Sequence, residues 1–226
     1  SSSKNIRVEG LEDYRPIGAF SFLGRYRVID FPISNLSNSD IDRIQVYVKE
    51  KPRTLVAHLG TGRHYNINSK SGKLQILFSD ADQRNNIYNT DIASYYENLE
   101  CIEAMHHEYV VITPDYMVYS ADFSKLIEQH IQSEADITLL YHAVDNAKDA
   151  YLNCSILNLN KQKGVLSIEP NHGNAKNRNI FMDTYIMKKN LLIDLIKKAR
   201  AISSAFTLAD IINELQEELD VRGIAH

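Results

Sequence analysis

Arg25, Arg27, Asp30 and Asn35 crowd into the stretch 24–36, separated by Val28, Ile29, Phe31, Ile33 and Leu36, which are residues of core type. Charged groups held that close to apolar ones need partners, because an unpaired charge at a core is costly. Asp30 lies three residues after Arg27. One reading is therefore an internal Arg–Asp pair that fixes a loop. The other is a loop whose guanidinium groups face an anion, since the planar guanidinium matches phosphate or carboxylate with two parallel hydrogen bonds. Residue types alone leave both readings open.

A second place with chemical potential is Thr113-Pro114-Asp115-Tyr116. It follows the apolar run Tyr109-Val110-Val111-Ile112, which predicts a buried, parallel strand. Open α/β sheets bind ligands beyond the carboxyl ends of their strands. Asp115 is thus a candidate Mg²⁺ ligand, because Mg²⁺ takes one or two carboxylates plus phosphate oxygens. The alternative is an ordinary turn aspartate. His58 sits on a predicted helix with no HxxxH or HExxH pattern, which favours a core or surface hydrogen-bonded histidine over a catalytic one. Lys176 and Arg178 read as solvated loop cations.

The elements that must position these residues follow from periodicity and capping. Helices are predicted over 34–42, with Ser34 as cap, and over 52–59, with Pro52 at the start and Gly60 at the end. Further helices are predicted over 90–105, capped by Thr90 or Asp91, and over 121–133, with Phe123, Leu126, Ile127 and Ile131 inward. The last two cover 188–201 and 207–219, the latter capped by Thr207. Strands are predicted over 43–48, 73–78, 109–112, 136–143, 152–159, 165–168, 179–187 and 221–226. Strands alternating with helices predict an α/β fold with a mostly parallel central sheet flanked by helices.

Composition narrows the function classes. A chain of 226 residues fits one large domain or two small ones. A net charge of -4 provides no basic field for nucleic acid or an anionic membrane. No apolar run approaches the roughly 20 residues that span a bilayer. Nothing reads as a signal peptide, and Cys101 and Cys154 read as two reduced thiols, so the expected location is the cytoplasm. The chain opens on Ser1-Ser2-Ser3 rather than Met and reads as a fragment.

The stretch from Gly24 to Asn35 resembles the GGRYRIIDFxLSN segment of the ADP-glucose pyrophosphorylases (glucose-1-phosphate adenylyltransferases). His58-Leu59-Gly60-Thr61-Gly62 is similar to that family's H-[IL]-G-x-G turn, and the order of later segments follows the family over nearly the whole chain. The resemblance implies a Rossmann-like nucleotidyltransferase fold, here one domain over 1–226, without the family's C-terminal left-handed β-helix domain. It implies Mg²⁺ as cofactor, with Asp115 in the place of the metal aspartate of an S-G-D-H element, and ATP and glucose 1-phosphate as substrates. It also implies that Arg15 stands where a K-P-A-V segment has its lysine. Arg25, Arg27, Asp30, Asn35 and Asp183 are the implied ligand-binding residues.

Four departures from the family pattern occur together. Ser1-Ser2-Ser3 stands where a glycine-rich phosphate loop is expected, and Arg15 replaces a lysine. Ile168-Glu169-Pro170 lacks the lysine of E-K-P, for which Lys176 or Arg178, a few residues on, could substitute, and Asp183 replaces the glycine of S-M-G. Each phosphate-facing cation lost could cost roughly 2–4 kcal/mol of transition-state stabilisation. The resemblance therefore implies a regulatory (GlgD-type) partner subunit with a degraded site, which assembles with a catalytic ADP-glucose pyrophosphorylase subunit in glycogen biosynthesis. The alternative is a catalytically active sugar-1-phosphate nucleotidyltransferase.

Overall fold

A computed structural model describes residues 15–41, 43–49, 51–60, 65, 73–80, 85–152 and 154–226. The chain divides into two compact units, residues 1–103 with 114–126, and residues 104–113 with 127–226.

In the first unit, Ser21–Phe22 (β1) and Tyr26–Arg27 (β2) form a small antiparallel hairpin. Leu23 and Gly24 at its tip both have positive φ, 51° and 76°. Gly24 accepts that conformation without a Cβ penalty, which explains a glycine at the head of the stretch. The helix Asp30–Asn38 (α1) starts four residues before the predicted cap Ser34. Pro32 sits in its first turn, where a missing N–H is tolerated, and Asp30 places a negative charge at the positive end of the helix.

Arg43–Val48 (β3), the helix Arg53–Leu59 (α2) and Lys73–Phe78 (β4) form a crossover in which the two strands pair in parallel, Arg43 opposite Lys73 and Val48 opposite Phe78. Pro52 and Gly60 bound α2 as expected. The helix predicted over 90–105 is two, Asp91–Glu97 (α3) and Leu99–Glu103 (α4). Asn98 breaks it and donates its side-chain amide to the carbonyls of Phe78 and Ser94. Thr90 caps α3 by accepting from the Ala93 N–H.

In the second unit, Tyr109–Ile112 (β5) joins Ile137–Val144 (β6), Ser155–Leu159 (β7), Val165–Pro170 (β8), Arg178–Lys188 (β9) and Val221–Ala225 (β10) in one sheet. The helix Phe123–Ser133 (α5) carries the chain from the first unit into the second, and Lys189–Ile202 (α6) and Leu208–Glu214 (α7) pack on β9 and β8.

The α/β class and the helix-flanked central sheet are as expected, but the strand pairing is mixed. Strand order is β10-β6-β9-β7-β8, with β5 beside the carboxyl half of β9. Strands β5, β6 and β7 each run antiparallel to β9, and only β10 pairs in parallel, with β6. The shared direction of β5, β6, β7 and β10 is thus mediated by one strand of opposite sense at the centre. Strand β5 was expected to be parallel and buried; it is antiparallel to β9 and half-buried.

Residues 137–141 of β6 are all buried, so both faces of that strand are covered rather than one. On α5, Ile131 is exposed, contrary to expectation, and His130 is buried in its stead. The His130 Nδ1 and the Thr138 hydroxyl share a hydrogen bond of 2.7 Å, which makes the polar residue tolerable inside.

Candidate functional site

The polar stretch folds as the β1–β2 hairpin followed by α1. Asp30, at the start of α1, is buried and spends both carboxylate oxygens on the protein itself. Oδ2 accepts from the Arg27 backbone N–H at 2.8 Å. Oδ1 accepts from the Tyr65 hydroxyl at 2.6 Å and lies 2.6 Å from His58 Nε2 on α2. Burial pushes the Asp30 carboxyl up, but the hydrogen bonds from Tyr65, Arg27 and His58, with the attraction of His58, outweigh it and hold it below its ordinary value. Burial, with the Asp30 carboxylate, pushes the Tyr65 hydroxyl well up and keeps it a donor.

The Arg27 guanidinium turns the other way and donates to the Ala19 carbonyl at 2.9 Å. Among the described residues no Arg27–Asp30 ion pair forms; His58 takes the position that a guanidinium was expected to hold. Spacing pointed to Arg27 because it is near in sequence. No signal marked Tyr65, which stands in a polar stretch of the sequence, and His58 behaves as the hydrogen-bonded histidine its isolation suggested. Asn35 donates to the Tyr119 carbonyl at 2.7 Å and so ties α1 to the segment that follows β5. Arg25 is exposed on the hairpin, and Arg15 is half-buried just before a short 3-10 turn, Ile17–Ala19.

Asp115 lies in the same unit, against that turn. A Cβ on Gly18 would come within 3.2 Å of Asp115 Oδ2. Gly18 and Asp115, remote in sequence, are therefore neighbours, and a side chain at 18 would press on the Asp115 carboxylate. Asp115 Oδ1 and the Tyr116 hydroxyl are both enclosed with no hydrogen-bond partner among the described residues. An orphaned carboxylate oxygen is open to a cation or a donor. Among the described residues no three His, Cys, Asp or Glu side chains cluster as a metal cage. Asp115 fits Mg²⁺ as the single carboxylate of a shell that ligand phosphates and water would complete.

In the second unit, Asp183 occupies a bulge of β9. Leu139 pairs with Tyr185 and Tyr141 with Phe181, so residues 182–184 oppose Leu140 alone. Asp183 has φ 44°, the left-handed region that glycine enters freely and other residues enter at a cost. Strand β5 ends opposite Tyr185 and β7 meets β9 at Ile180, so the bulge lies at the break between them. Glu169, near the end of β8, accepts from the Ser167 hydroxyl at 2.7 Å. The segment 1–14, where the glycine-rich loop was sought, and Thr61 and Gly62 of the H-[IL]-G-x-G match lie outside the described residues.

The nucleotidyl transferase family model matches residues 7–221. The chain belongs to the nucleotidyl transferase family. It is 32% identical over 175 residues to a glucose-1-phosphate adenylyltransferase of Clostridium perfringens, a match covering 77% of this chain and 45% of the relative. It is 29% identical over 182 residues to that of Clostridioides difficile, 80% of this chain and 47% of the relative. It is 27% identical over 221 residues to that of Bacillus licheniformis, 96% of this chain and 58% of the relative. This family member thus spans about half the length of the curated relatives it matches. Among the described residues no helix is long and apolar enough to cross a membrane.

Proposed function

We propose that this chain is the nucleotidyltransferase-fold part of a glucose-1-phosphate adenylyltransferase subunit, and that the subunit modulates a catalytic partner rather than turning over rapidly itself. The reaction of the assembly is ATP plus glucose 1-phosphate to ADP-glucose plus diphosphate, in the cytoplasm and in the service of glycogen storage. The catalytic task is to neutralise phosphate charge while the sugar phosphate attacks the α-phosphorus in line. In this reading Arg25 and Arg15 attract the phosphates, and Asp115 holds Mg²⁺, which when bound supplies further neutralisation. Arg27, Asp30 and Asn35 hold the loop in shape.

The observation that carries the regulatory reading is Asp183. Its backbone keeps a glycine-like conformation at the bulge of β9 while its side chain adds a carboxylate. A negative charge where a phosphorylated sugar is expected opposes binding. The unspent oxygen of Asp115 favours the second reading, an active enzyme.

The test is ADP-glucose formation from ATP, Mg²⁺ and glucose 1-phosphate, with the full-length protein alone and then mixed with a catalytic subunit. The regulatory reading predicts negligible turnover alone and an altered rate or effector response in the mixture. Turnover alone of about 1–10³ s⁻¹, ordinary for enzymes, would establish the active-enzyme reading instead.

A further inference from the structure

The second unit contains an open cleft of about 820 Å³ between the carboxyl end of β6 and the start of β9. Neither Glu169 nor Asp183 lines it, and the Arg25 and Asp115 regions belong to the other unit. Its wall carries Arg178, the first residue of β9, paired in register with Val144. The Arg178 Nε is fully enclosed yet has no hydrogen-bond partner among the described residues. A guanidinium normally spends its N–H groups on carboxylates, carbonyls or phosphate, so an Nε–H that is enclosed without an acceptor marks this one as incompletely satisfied.

The surrounding side chains suit a small polar ligand. His142, Asn146, Asn177 and Tyr151 line the cleft and are exposed, and Asp145 stands among them. The His142 Nδ1 lies 3.0 Å from the His226 carbonyl, which orients the ring. The cleft is also pre-formed. Buried Asn171 donates to the carbonyls of Ala147 and Tyr151, and the Ala147 N–H donates to the Lys176 carbonyl at 2.9 Å. These bonds hold the 145–151 turn against the loop before β9, so a ligand would find its walls already in place.

The geometry points to a second, oxyanion-binding site at Arg178 in the cleft between β6 and β9. The guanidinium takes a phosphate or carboxylate group in bidentate fashion, and the amides of Asn146 and Asn177 complete its hydrogen bonds. Asp145 favours a ligand that also presents a hydroxyl or amine. Arg178, expected to be a solvated loop cation, is instead half-buried with its Nε enclosed.

The test is a titration of the full chain with inorganic phosphate, and separately with acetate, at constant ionic strength set by chloride, followed by backbone amide NMR shifts. The expected result is saturable shifts of residues 142–146 and 177–179, with affinity near millimolar (about -4 kcal/mol). Arg178→Ala should weaken it at least about tenfold, and Arg178→Lys less, because it keeps the charge but loses the fork. Asn177→Asp, a change at an exposed position, should weaken it as well and decides the matter if Arg178→Ala does not fold. Tighter phosphate than acetate binding identifies a phosphorylated ligand, and the reverse a carboxylate. Absence of saturable shifts with either anion, or binding unchanged in Arg178→Ala or Asn177→Asp, would overturn the proposal.

Discussion

Asp30 shows how one side chain can organise a whole stretch. It accepts from the Arg27 backbone, from Tyr65 and from His58, three contacts that join the hairpin, α1, α2 and Tyr65. Asp30→Ala should lower stability by roughly 2–4 kcal/mol in urea unfolding, because charge-assisted bonds are lost and their donors orphaned. The folded-state pKa of Asp30 lies below its ordinary value of 3.8. Its contribution is therefore fully present above that value and is lost as pH falls through the lower folded-state pKa. Urea midpoints measured downward from about pH 6 should show this loss in the wild type and not in Asp30→Ala. Asp183 is the opposite case, a residue in a conformation that suits another. Asp183→Gly should be more stable than Asp183→Ala by about 1–2 kcal/mol, since both remove the carboxylate and only glycine relieves the positive φ. Equal thermal midpoints for the two variants would mean that the bulge relaxes around any residue.

Among the elements, α7 and α5 are held by different means. Helix α7 opens with a reciprocal capping box, in which Thr207 accepts from the Asp210 N–H and Asp210 accepts from the Thr207 N–H. Thr207→Ala should cost about 1 kcal/mol by chemical denaturation, the usual worth of such a cap. Helix α5 is pinned to β6 by His130, which meets Thr138 and lies edge-on to the Tyr109 ring at 5.7 Å. Burial lowers the His130 pKa; Asp136 raises it and Lys188 lowers it further. The folded state therefore resists protonation that the unfolded chain accepts near its ordinary value of 6.5. Stability should be full above that value and fall as pH drops toward the lower folded-state pKa. His130→Gln should flatten the slope of unfolding free energy against pH in that window. A slope the same in both proteins would assign the effect to another group.

At the scale of the whole molecule, the family relationship and the departures at individual positions pull in different directions. The family match covers residues 7–221, yet the departures at 15, 168–170 and 183 fall at positions that the resemblance assigns to phosphate and sugar. Because they act together, Asp183→Gly alone should leave the turnover of the full-length protein far below about 1–10³ s⁻¹. Robust ADP-glucose formation by that single variant would show that the charge at 183, and not the lost lysines, holds the site back. A net charge of -4 favours small anionic ligands only where a cation is specifically presented, as at Arg25 and Arg178.

By itself the sequence determined what local physics controls. Periodicity located α6 and β9, Thr90, Thr207 and Pro52 marked their helix starts, and the Gly24–Asn35 motif named the family. Those signals lie within one element, where spacing and side-chain type decide the outcome. Tertiary structure alone decided who meets whom. It placed β9 between its neighbours and so reversed the expected pairing of β5, gave Asp30 to His58 and Tyr65 rather than to the Arg27 guanidinium, and broke the 90–105 helix at Asn98. It also set Asp115 against Gly18 and enclosed the Nε of Arg178. The reason is that a hydrogen bond or a close approach is chosen among all groups that folding brings near. Separation along the chain carries little of that information.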